Sequence, residues 1–512
     1  MTTRRRFIEY TAALAAALGT RHAGAQPPDP PKGPGKGEEK GKGKGETKGT
    51  GKGGGNQPGR IVLRRSIGSM ALNDPALESY RKAVKAMKAL PASDPRSWVA
   101  QANIHQNFCP HGNWYFLPWH RAYLVAFERI CQDLSGDPDF GLPYWDWTSN
   151  RQLPAAFTAA TYLGQPNPLF EPRTMTPAAS LPDNMVGPVV ISNILAEPSF
   201  EVFASARPNG QNNNNAATWQ RAPGVYGPLE SNPHNRIHGT VGGIMGSFQS
   251  PRDPIFWLHH CNIDRLWQEW NEAGGVNTND NLWLNFDFDG NFVKPDQSPY
   301  NAKVAALRNI TALLYRYKLR AAPKFAMEVL ALQRVPKPKP IGMDKVLAAN
   351  AVPVAARGKM NTRLDMAVTL TQPEAAAVRS IKPLDTSSPE PALPVAAARA
   401  VAVIGDVEAP KSGNAEVRVF VNCDYLAPDT PTTDPSYVGT FSFFGGDHAG
   451  AGHASHASKL SFFFDLTPAV INLKRQNKDP GGKVTVQLMP VPIAGGPKDV
   501  DFKPGNVRVA VL

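Results

Sequence analysis

Seven of the eleven histidines in this 512-residue chain fall in two stretches of sequence. The first stretch carries three of them and the second carries four: His105, His111, His120, His234, His238, His259 and His260. Neutral imidazole is a preferred ligand of copper, and neither stretch adds the Cys-x-x-Cys or carboxylate set that would favour zinc or iron. An isolated histidine is usually an ordinary core or surface residue, but two groups of three at these spacings indicate a pair of copper ions.

A pair of copper ions suits chemistry with dioxygen. Each reduced ion can supply one electron, and two metal ions about 3.5–4 Å apart can bridge both oxygen atoms. A single copper ion with three histidines could not reduce dioxygen by two electrons in one step. The histidine pattern therefore predicts a dinuclear copper site that reacts with O2.

Four predicted helices would surround the two copper ions. They lie at residues 73–90, from 118 through 130, around 234–238 and at 254–270. Pro118 stands in the first turn of the second helix, where proline is tolerated, and places His120 near the helix start. His234 and His238 are four residues apart and so share one helix face. Residues 148–230, rich in Pro, Asn and Ala, are predicted to form long surface loops around this helical core.

The sequence texture changes near residue 413. Apolar and polar residues alternate in five segments, at residues 416–422, 437–443, 460–464, 483–488 and 507–511, which predicts an antiparallel β-sandwich. Residues 319–412, dominated by Ala, Pro, Val and Lys, are predicted to be a linker with one or two strands such as Leu364–Leu370. The predicted fold is a mainly α catalytic domain at 60–318, with a four-helix bundle around a dinuclear copper site, followed by the linker and a β-sandwich domain at 413–512.

The first 59 residues are predicted to lie outside the folded domains. Residues 1–25 combine paired arginines before Phe7, an apolar stretch and a small-residue end, the pattern of a twin-arginine export signal. Residues 26–59 form a Gly/Lys-rich tract that cannot bury a core and is predicted to be disordered. We therefore expect the Tat export machinery as a partner and a periplasmic or secreted location.

Charge and cysteine content exclude several other classes of protein. The formal net charge is +12, but much of the excess comes from the signal and the Gly/Lys tract, so we predict no nucleic-acid partner. No apolar run reaches the roughly 18 residues that a membrane-spanning helix needs, so we also predict no membrane span. The four cysteines stand singly in unlike contexts, which predicts no disulfide framework.

Two motifs carry a resemblance to a known family. Trp114-Tyr-Phe-Leu-Pro-Trp-His-Arg and Asp253-Pro-Ile-Phe-Trp-Leu-His-His-Cys-Asn-Ile-Asp-Arg-Leu-Trp resemble the two copper signatures of the tyrosinase and polyphenol oxidase family of type-3 copper proteins. The resemblance implies two sets of ligands: His105, His111 and His120 for copper A, and His234, His238 and His260 for copper B. It also implies that His259 is not a ligand, because the family ligand is the second histidine of the adjacent pair.

Cys109 has two interpretations. A cysteine two residues before the second copper A histidine is joined to that histidine by a thioether in fungal members and hemocyanins of similar pattern, and its spacing from His105 matches the plant members. The resemblance therefore implies a thioether between Cys109 and His111. The alternative is a buried free cysteine, the usual interpretation of a single Cys.

Glu230 and Asn235 match positions at which the family holds a water that takes a proton from an incoming monophenol. A carboxylate and an amide together can orient such a water as a proton acceptor. The alternative for Glu230 is a carboxylate placed near the positive end of a helix dipole. The pair favours hydroxylation of monophenols.

Three more positions are predicted to surround the copper ions. Ser247 falls where some plant enzymes carry a bulky aromatic gate, so its small side chain predicts an open pocket. Phe256 is predicted to line the site with an apolar ring, and Asp264 to orient a ligand imidazole by a hydrogen bond. Either of these two residues could also be purely structural.

The C-terminal segments resemble, more weakly, the domain that covers the copper site of plant polyphenol oxidases until it is cleaved. This resemblance implies a latent proenzyme and an activating protease that cuts in the linker. Tyr315-Arg-Tyr317 looks like the motif that closes the catalytic domain and is expected to pack on Arg64 or Arg65. Three further histidines, His448, His453 and His456, either help to load copper or belong to an ordinary solvated loop.

The family resemblance implies an enzyme that hydroxylates monophenols to o-diphenols and oxidises o-diphenols to o-quinones with O2 at two copper ions. One alternative is a catechol oxidase or o-aminophenol oxidase without the first activity. Two others are a hemocyanin-like oxygen binder and a secreted copper-binding protein, which would show no catechol turnover. Product analysis separates these possibilities.

Overall fold

The computed structural model describes residues 60–208, 219–318, 335–383, 395–410, 415–444, 459–493 and 499–512. The predicted signal, the Gly/Lys tract and the three histidines at 448, 453 and 456 lie outside the described residues. The helices are α1 Pro75–Ala89, α2 Trp98–Phe108, α3 Phe116–Ser135, α4 Asp183–Val186, α5 Pro188–Leu195, α6 Phe200–Phe203, α7 Asn235–Val241, α8 Pro254–Glu272, α9 Asn281–Leu284, α10 Val304–Leu307, α11 Met343–Ala348, α12 Gln372–Ser380 and α13 Thr467–Arg475.

The strands are mostly short in the first half of the chain and longer in the second. They are β1 Val62–Arg64, β2 Thr161–Tyr162, β3 Gln165–Pro166, β4 Phe292–Val293, β5 Pro299–Tyr300, β6 Tyr315–Tyr317, β7 Ala351–Pro353, β8 Gly358–Lys359, β9 Leu364–Thr369, β10 Ala400–Val407, β11 Glu416–Val421, β12 Tyr437–Ser442, β13 Leu460–Asp465, β14 Lys483–Val491, β15 Asp501–Phe502 and β16 Asn506–Val511. The predicted order, a helical domain followed by an antiparallel β domain, is confirmed.

Local sequence signals set the ends of the two long central helices. Helix α8 begins at Pro254, and the side chain of Asp253 caps it by accepting a hydrogen bond from the Ile255 amide. Helix α3 ends at Gly136, which has φ of 70°, a left-handed conformation that glycine adopts without steric cost. Both helices are almost entirely buried, so each can present polar side chains only to the protein interior.

Helix α2, which ends close to His105, was not predicted. Its buried positions are Trp98, Gln101, Ala102 and His105, which follow the helical spacing. Two of these four are polar, so the segment lacks the apolar stripe that marks a core-facing helix. Residues 148–230 also contain more helix than the predicted loops, because Ile191, Ile194 and Leu195 bury one side of α5.

The C-terminal domain consists of two four-stranded antiparallel sheets, in the orders β13-β10-β16-β7 and β12-β11-β14-β9. Side chains from both sheets share one apolar core, as a β-sandwich requires. Three of these strands, β7, β9 and β10, lie within residues 319–412, the range predicted as a linker. Strand β10 contains the apolar run Ala-Val-Ala-Val-Ile, which has no alternation and therefore gave no strand signal.

The β-sandwich packs directly on the helical domain. Tyr226 forms a parallel β-bridge with the edge strand β13, donating its amide to Ser461 and accepting from the Phe463 amide. Two buried ion pairs cross the same boundary, Arg399 with Glu197 and Arg236 with Glu416. No helix in the described part of the chain is long and apolar enough to cross a membrane.

Candidate dinuclear metal centre

The six predicted ligands come from six segments of the helical domain. His105 lies in the last turn of α2, His111 in the following loop and His120 in α3. His234 ends the tight turn Glu230–His234, which leads into α7 with His238, and α8 supplies His260. All but His111 are buried, and His111 is half-buried.

The first three histidines form a nearly equilateral triangle. The ring centroids of His105, His111 and His120 are 5.5, 5.6 and 5.6 Å apart. Three imidazoles at equal distances can direct one nitrogen each at a common point between them. The ligand atoms of His105 lie within 4.8 Å of those of Cys109 and His111 in one set, and of those of His120 and His260 in another, so His105 is common to both sets.

The second three histidines converge more tightly. The Nε2 atom of His260 lies 3.4 Å from that of His234 and 3.3 Å from that of His238. Metal–imidazole bonds of about 2.0–2.1 Å at tetrahedral angles would separate the nitrogens by roughly 3.3 Å. The spacing in this chain is therefore what one bound metal ion requires. The two groups are adjacent, since the rings of His120 and His260 stack at 4.3 Å.

Hydrogen bonds fix the ring orientation of four of these histidines. The Nδ1 atoms of His105, His120 and His238 each lie within 2.8 Å of a backbone carbonyl, those of Phe248, Phe116 and Met245 respectively. The Nδ1 atom of His234 bonds to Oδ1 of Asn235 at 2.8 Å. Since all four acceptors require a proton on Nδ1, Nε2 keeps its lone pair for a metal ion.

Burial keeps these imidazoles neutral. It lowers the pKa of His120 to about 3 and that of His238 to about 4. A neutral imidazole is the form that binds copper. Both groups are therefore in their metal-binding state throughout the neutral pH range.

The adjacent His259 has a different environment. Its Nδ1 atom accepts a hydrogen bond from the indole N–H of Trp147 at 3.2 Å. His260 makes no contact of this kind: its Nε2 faces the Nε2 atoms of His234 and His238, and its Nδ1 has no hydrogen-bond partner among the described residues.

The sulfur of Cys109 lies 3.4 Å from Nδ1 of His111, and the thiol is fully buried. Burial raises the pKa of this thiol well above its ordinary value. A thioether would join this sulfur to the Cε1 carbon of His111, which is bonded to Nδ1.

Glu230 is fully buried and held at both oxygens. Oε1 accepts from the Gly112 amide at 2.8 Å, and Oε2 accepts from the Ser205 hydroxyl at 2.6 Å. Burial raises the pKa of Glu230 to about 8. Asn235 uses its Oδ1 for His234, which leaves its amide N–H groups to point elsewhere.

Phe256 lies against the metal centre, but Asp264 does not orient a ligand. The Phe256 ring is 4.2 Å from that of His260 and 5.1 Å from that of His105. Asp264 instead accepts hydrogen bonds from two arginines and two tyrosines: Arg64, Arg121, Tyr315 and Tyr317. The expectation that Asp264 holds an imidazole is therefore wrong, because these four donors occupy its carboxylate.

These four donors also explain the tyrosine motif. Strand β6 pairs in parallel with β1, so Tyr315 and Tyr317 meet Arg64. The guanidinium of Arg64 lies 3.6 Å from the Tyr315 ring centroid and donates to the Tyr317 hydroxyl and to Glu128. The predicted packing of the motif on Arg64 is confirmed.

The pocket mouth is not as open as Ser247 suggested. The Ser247 hydroxyl donates to the carbonyl of Ile244, three residues before it. The next residue, Phe248, places its ring 5.8 Å from His111 and 6.3 Å from His105. A large aromatic ring therefore stands beside the first histidine group, next to the predicted gate position Ser247.

The sequence did not single out Phe444, which fills the space in front of the histidines. Its ring is 4.6 Å from His238 and 5.0 Å from His111, so it contacts both groups, and it also packs on Phe248 at 5.1 Å. The neighbouring Phe443 is buried in the sandwich core. Because side chains alternate along a strand, the pair Phe443-Phe444 at the end of β12 was the signal that one ring must point out of the sandwich.

Comparison with known proteins connects this geometry to a family. Residues 95–222 and 174–273 match the model described as the common central domain of tyrosinase. A tyrosinase of Hahella sp. (strain CCB-MM4) is 28% identical over 490 residues, which cover 86% of this chain and 97% of that protein. The chloroplastic polyphenol oxidase A1 of Vicia faba is 32% identical over 273 residues, 46% of this chain and 43% of the relative, so the match spans less than half of the plant protein.

Solved structures show the same fold. Latent apple tyrosinase aligns with a TM-score of 0.63 at 22% identity, covering 89% of this chain and 98% of that chain. The tyrosinase of Burkholderia thailandensis aligns with a TM-score of 0.53 at 18% identity, covering 88% of this chain and all of that chain. The arrangement of a helical domain followed by a β domain is therefore shared with enzymes that carry both parts.

Proposed function

Since this chain belongs to the tyrosinase and polyphenol oxidase family and is an oxidoreductase of that type, we propose that it hydroxylates monophenols to o-diphenols and oxidises o-diphenols to o-quinones with O2. The observation that supports this proposal is the convergence of the nitrogens of His234, His238 and His260, beside three further imidazole rings 5.5–5.6 Å apart. Small phenols are the substrates, and two copper ions are the cofactor.

We assign copper A to His105, His111 and His120, and copper B to His234, His238 and His260. The fit rests on the nitrogen spacing of the second group and on the carbonyl and amide acceptors that leave Nε2 as the ligand atom. Copper, when bound, supplies the electron exchange with O2 and the positive charge that favours a phenolate. The Cys109 sulfur is placed to lock His111 through a thioether.

Glu230 and Asn235 supply the proton chemistry in this proposal. A monophenol must lose its hydroxyl proton before hydroxylation, and a water held by the two side chains can accept it. A raised pKa makes Glu230 a stronger base than an ordinary carboxylate, because the burial that raises the pKa also strengthens its hold on the proton. A catechol also loses its hydroxyl protons on oxidation to the o-quinone, but its first hydroxyl is more acidic than that of a monophenol, so a catechol oxidase, the alternative, depends less on such a base.

The aromatic rings around the histidines favour a flat, apolar substrate. Phe256 and Phe116 lie 4.2 and 4.8 Å from His260 and His120, and Phe248 stands beside the first group. The Phe444 ring now fills that space, so we propose that the chain is made as a latent form. Release of the β-sandwich by a protease, with a cut in the region after residue 318, would open the site to phenols.

The proposed activity is tested by product analysis. The copper-loaded chain is treated by limited proteolysis, and O2 consumption and o-quinone formation are followed with a monophenol and with the matching catechol. Turnover of both substrates is expected. Turnover of catechol alone would establish the alternative, and reversible O2 binding without either product would contradict the enzyme.

Latency is tested by the Phe444→Ala substitution. Removal of this ring from the intact chain is expected to raise catechol oxidation at least tenfold, because the site becomes accessible while the sandwich stays in place. Tyr425→Phe in the same domain is the matched control, since Tyr425 is 54% exposed and does not reach the buried histidines. Equal activity of wild type and Phe444→Ala, at a rate matching the proteolysed enzyme, would contradict the blocking role.

We also propose export through the Tat machinery to the periplasm or the medium. The support is the sequence of residues 1–25, with Arg5-Arg6-Phe7 before an apolar stretch. Replacing Arg5 and Arg6 by lysine should retain the protein in the cytoplasm, as measured by fractionation. Unchanged export of this double variant would contradict the proposed route.

A further inference from the structure

A seventh histidine stands within reach of the second metal group. One nitrogen of His259 lies within 4.8 Å of a nitrogen of each of His234, His238 and His260. The His259 ring stacks on that of His234 at 5.3 Å and lies 4.9 Å from that of His238. Proximity alone therefore does not explain why three imidazoles, rather than four, would bind copper B.

Trp147 provides the explanation. An indole N–H can only donate a hydrogen bond, so the Nδ1 atom of His259 that it contacts must carry a lone pair. In a neutral imidazole the proton is then on Nε2. In this tautomer neither nitrogen of His259 offers a lone pair to a metal ion: the indole occupies Nδ1, and Nε2, which has no hydrogen-bond partner among the described residues, carries the proton.

Two of the proposed copper B ligands have the opposite arrangement. In His234 and His238 the proton is on Nδ1, held by Asn235 and by the Met245 carbonyl, and Nε2 is open. His259 therefore differs from His234 and His238 in the group that faces Nδ1: a hydrogen-bond donor faces it in His259, and an acceptor faces it in the other two. Trp147 is fully buried, which fixes the indole in this contact.

We propose that Trp147 is a positioning residue that keeps His259 from binding copper, and so preserves a three-histidine copper B with an open coordination position. The inference rests on the proposed function for its copper site. A catalytic metal needs an open position for O2 or substrate, whereas four protein ligands give the closed geometry of structural sites.

The first test examines the tautomer of His259 in the metal-free protein. Nitrogen NMR of 15N-histidine-labelled chain, with the His259 signal assigned by its loss in His259→Gln, is expected to show a bare Nδ1 and a protonated Nε2. Trp147→Phe should abolish this preference and shift both signals. Trp145→Phe is the matched control: Trp145 is equally buried, but its N–H donates to the Asn150 carbonyl at 2.7 Å. A protonated Nδ1 in the wild type would overturn the proposal.

The second test is a rescue experiment. Trp147→Phe is expected to lower the kcat for catechol at least tenfold, with a changed copper B signal in X-ray absorption. The double variant Trp147→Phe/His259→Phe should recover to within about threefold of wild type, because the competing imidazole is gone. A structural role for Trp147 predicts the reverse, since a second core substitution would deepen the loss, and that result would overturn the proposal. If the wild type oxidises no phenol, the proposed function fails, while the tautomer measurement still decides this inference.

Discussion

Two buried polar clusters share the same pair of helices and differ in how their polar groups are satisfied. The histidine cluster uses His120 of α3 and His260 of α8, and the ion cluster uses Arg121 and Asp264, each within one turn along the same helices. In the ion cluster every charge meets an opposite charge or a hydroxyl. In the histidine cluster the Nε2 atoms of one group point at each other with no charged partner, an arrangement that suits a bound metal ion.

The ion cluster contributes to the stability of the fold, and the histidine cluster is suited to binding metal ions. Although burial alone would raise the pKa of Asp264, the guanidinium groups of Arg121 and Arg64 lower it below its ordinary value, so the carboxylate stays ionised. Such a paired network specifies structure. The histidine cluster keeps neutral rings instead, because burial lowers their pKa values and no carboxylate faces them among the contacts described. One cluster closes the fold, and the other stays ready for metal ions.

Loss of a ligand should have the largest effect. His120→Gln removes one nitrogen from the first group, so phenol oxidation is expected to fall at least 1000-fold, roughly the effect of losing an activating metal. The thermal midpoint of the metal-free variant should fall by only a few degrees, because the substitution loses one hydrogen bond, from Nδ1 to the Phe116 carbonyl, while Nε2 makes none among the described residues. A variant that unfolds without metal would show that the two clusters are not separable.

Loss of the central carboxylate should have the opposite signature. Asp264→Asn leaves two buried guanidinium groups under-compensated and is expected to lower the free energy of unfolding of the metal-free protein by roughly 3–5 kcal/mol. Chemical denaturation measures this change. Asp501→Asn, which removes the exposed partner of Arg357, is the control and should leave the midpoint unchanged. An unfolding energy equal to wild type for Asp264→Asn would contradict the structural role of the ion cluster.

A substitution of Glu230 distinguishes a role in proton transfer from a structural role for this buried carboxylate. Glu230→Gln keeps the shape and can keep both hydrogen-bonded contacts, but it removes the base. Monophenol hydroxylation is expected to fall about 100-fold, while catechol oxidation by the same variant changes by less than threefold. Equal losses of both rates would place Glu230 with the structural residues.

The pH dependence of monophenol hydroxylation also tests the role of Glu230, with a smaller expected effect. The pKa of Glu230 is raised to about 8 by burial, so its basic form is gained as pH rises through that value. The ratio of monophenol to catechol oxidation should therefore rise about tenfold between roughly pH 7 and 9, and the rise should vanish in Glu230→Gln. A flat ratio in the wild type would remove Glu230 from the proton transfer.

The parts of the fold that the sequence predicted are those with strong periodicity or fixed ends. Helix α8 was visible because Asp253 and Pro254 mark its start, and strand β11 because Val417 and Val419 alternate with Glu416 and Arg418. Helix α2 and strand β10 were missed for complementary reasons. The first carries polar side chains on its buried face, and the second is apolar on both faces.

The sequence predicted the roles of site residues only where local spacing along the chain determines them. Histidine spacing pointed to six ligands, but the role of Asp264 depends on Arg64, 200 residues away in sequence, and on a strand that brings two tyrosines beside it. Phe444 reaches the histidines only because two domains dock. Long-range contacts of this kind are not encoded in local spacing.

Substitution of each member of the adjacent pair His259-His260 tests which histidine binds copper B. Metal analysis of purified, copper-loaded His259→Gln and His260→Gln would measure copper per chain. We expect two copper ions per chain in His259→Gln and the loss of copper B in His260→Gln, because Nε2 of His260 lies 3.4 and 3.3 Å from Nε2 of His234 and His238. Full copper content in His260→Gln, with copper lost in His259→Gln, would contradict the assignment of the metal centre.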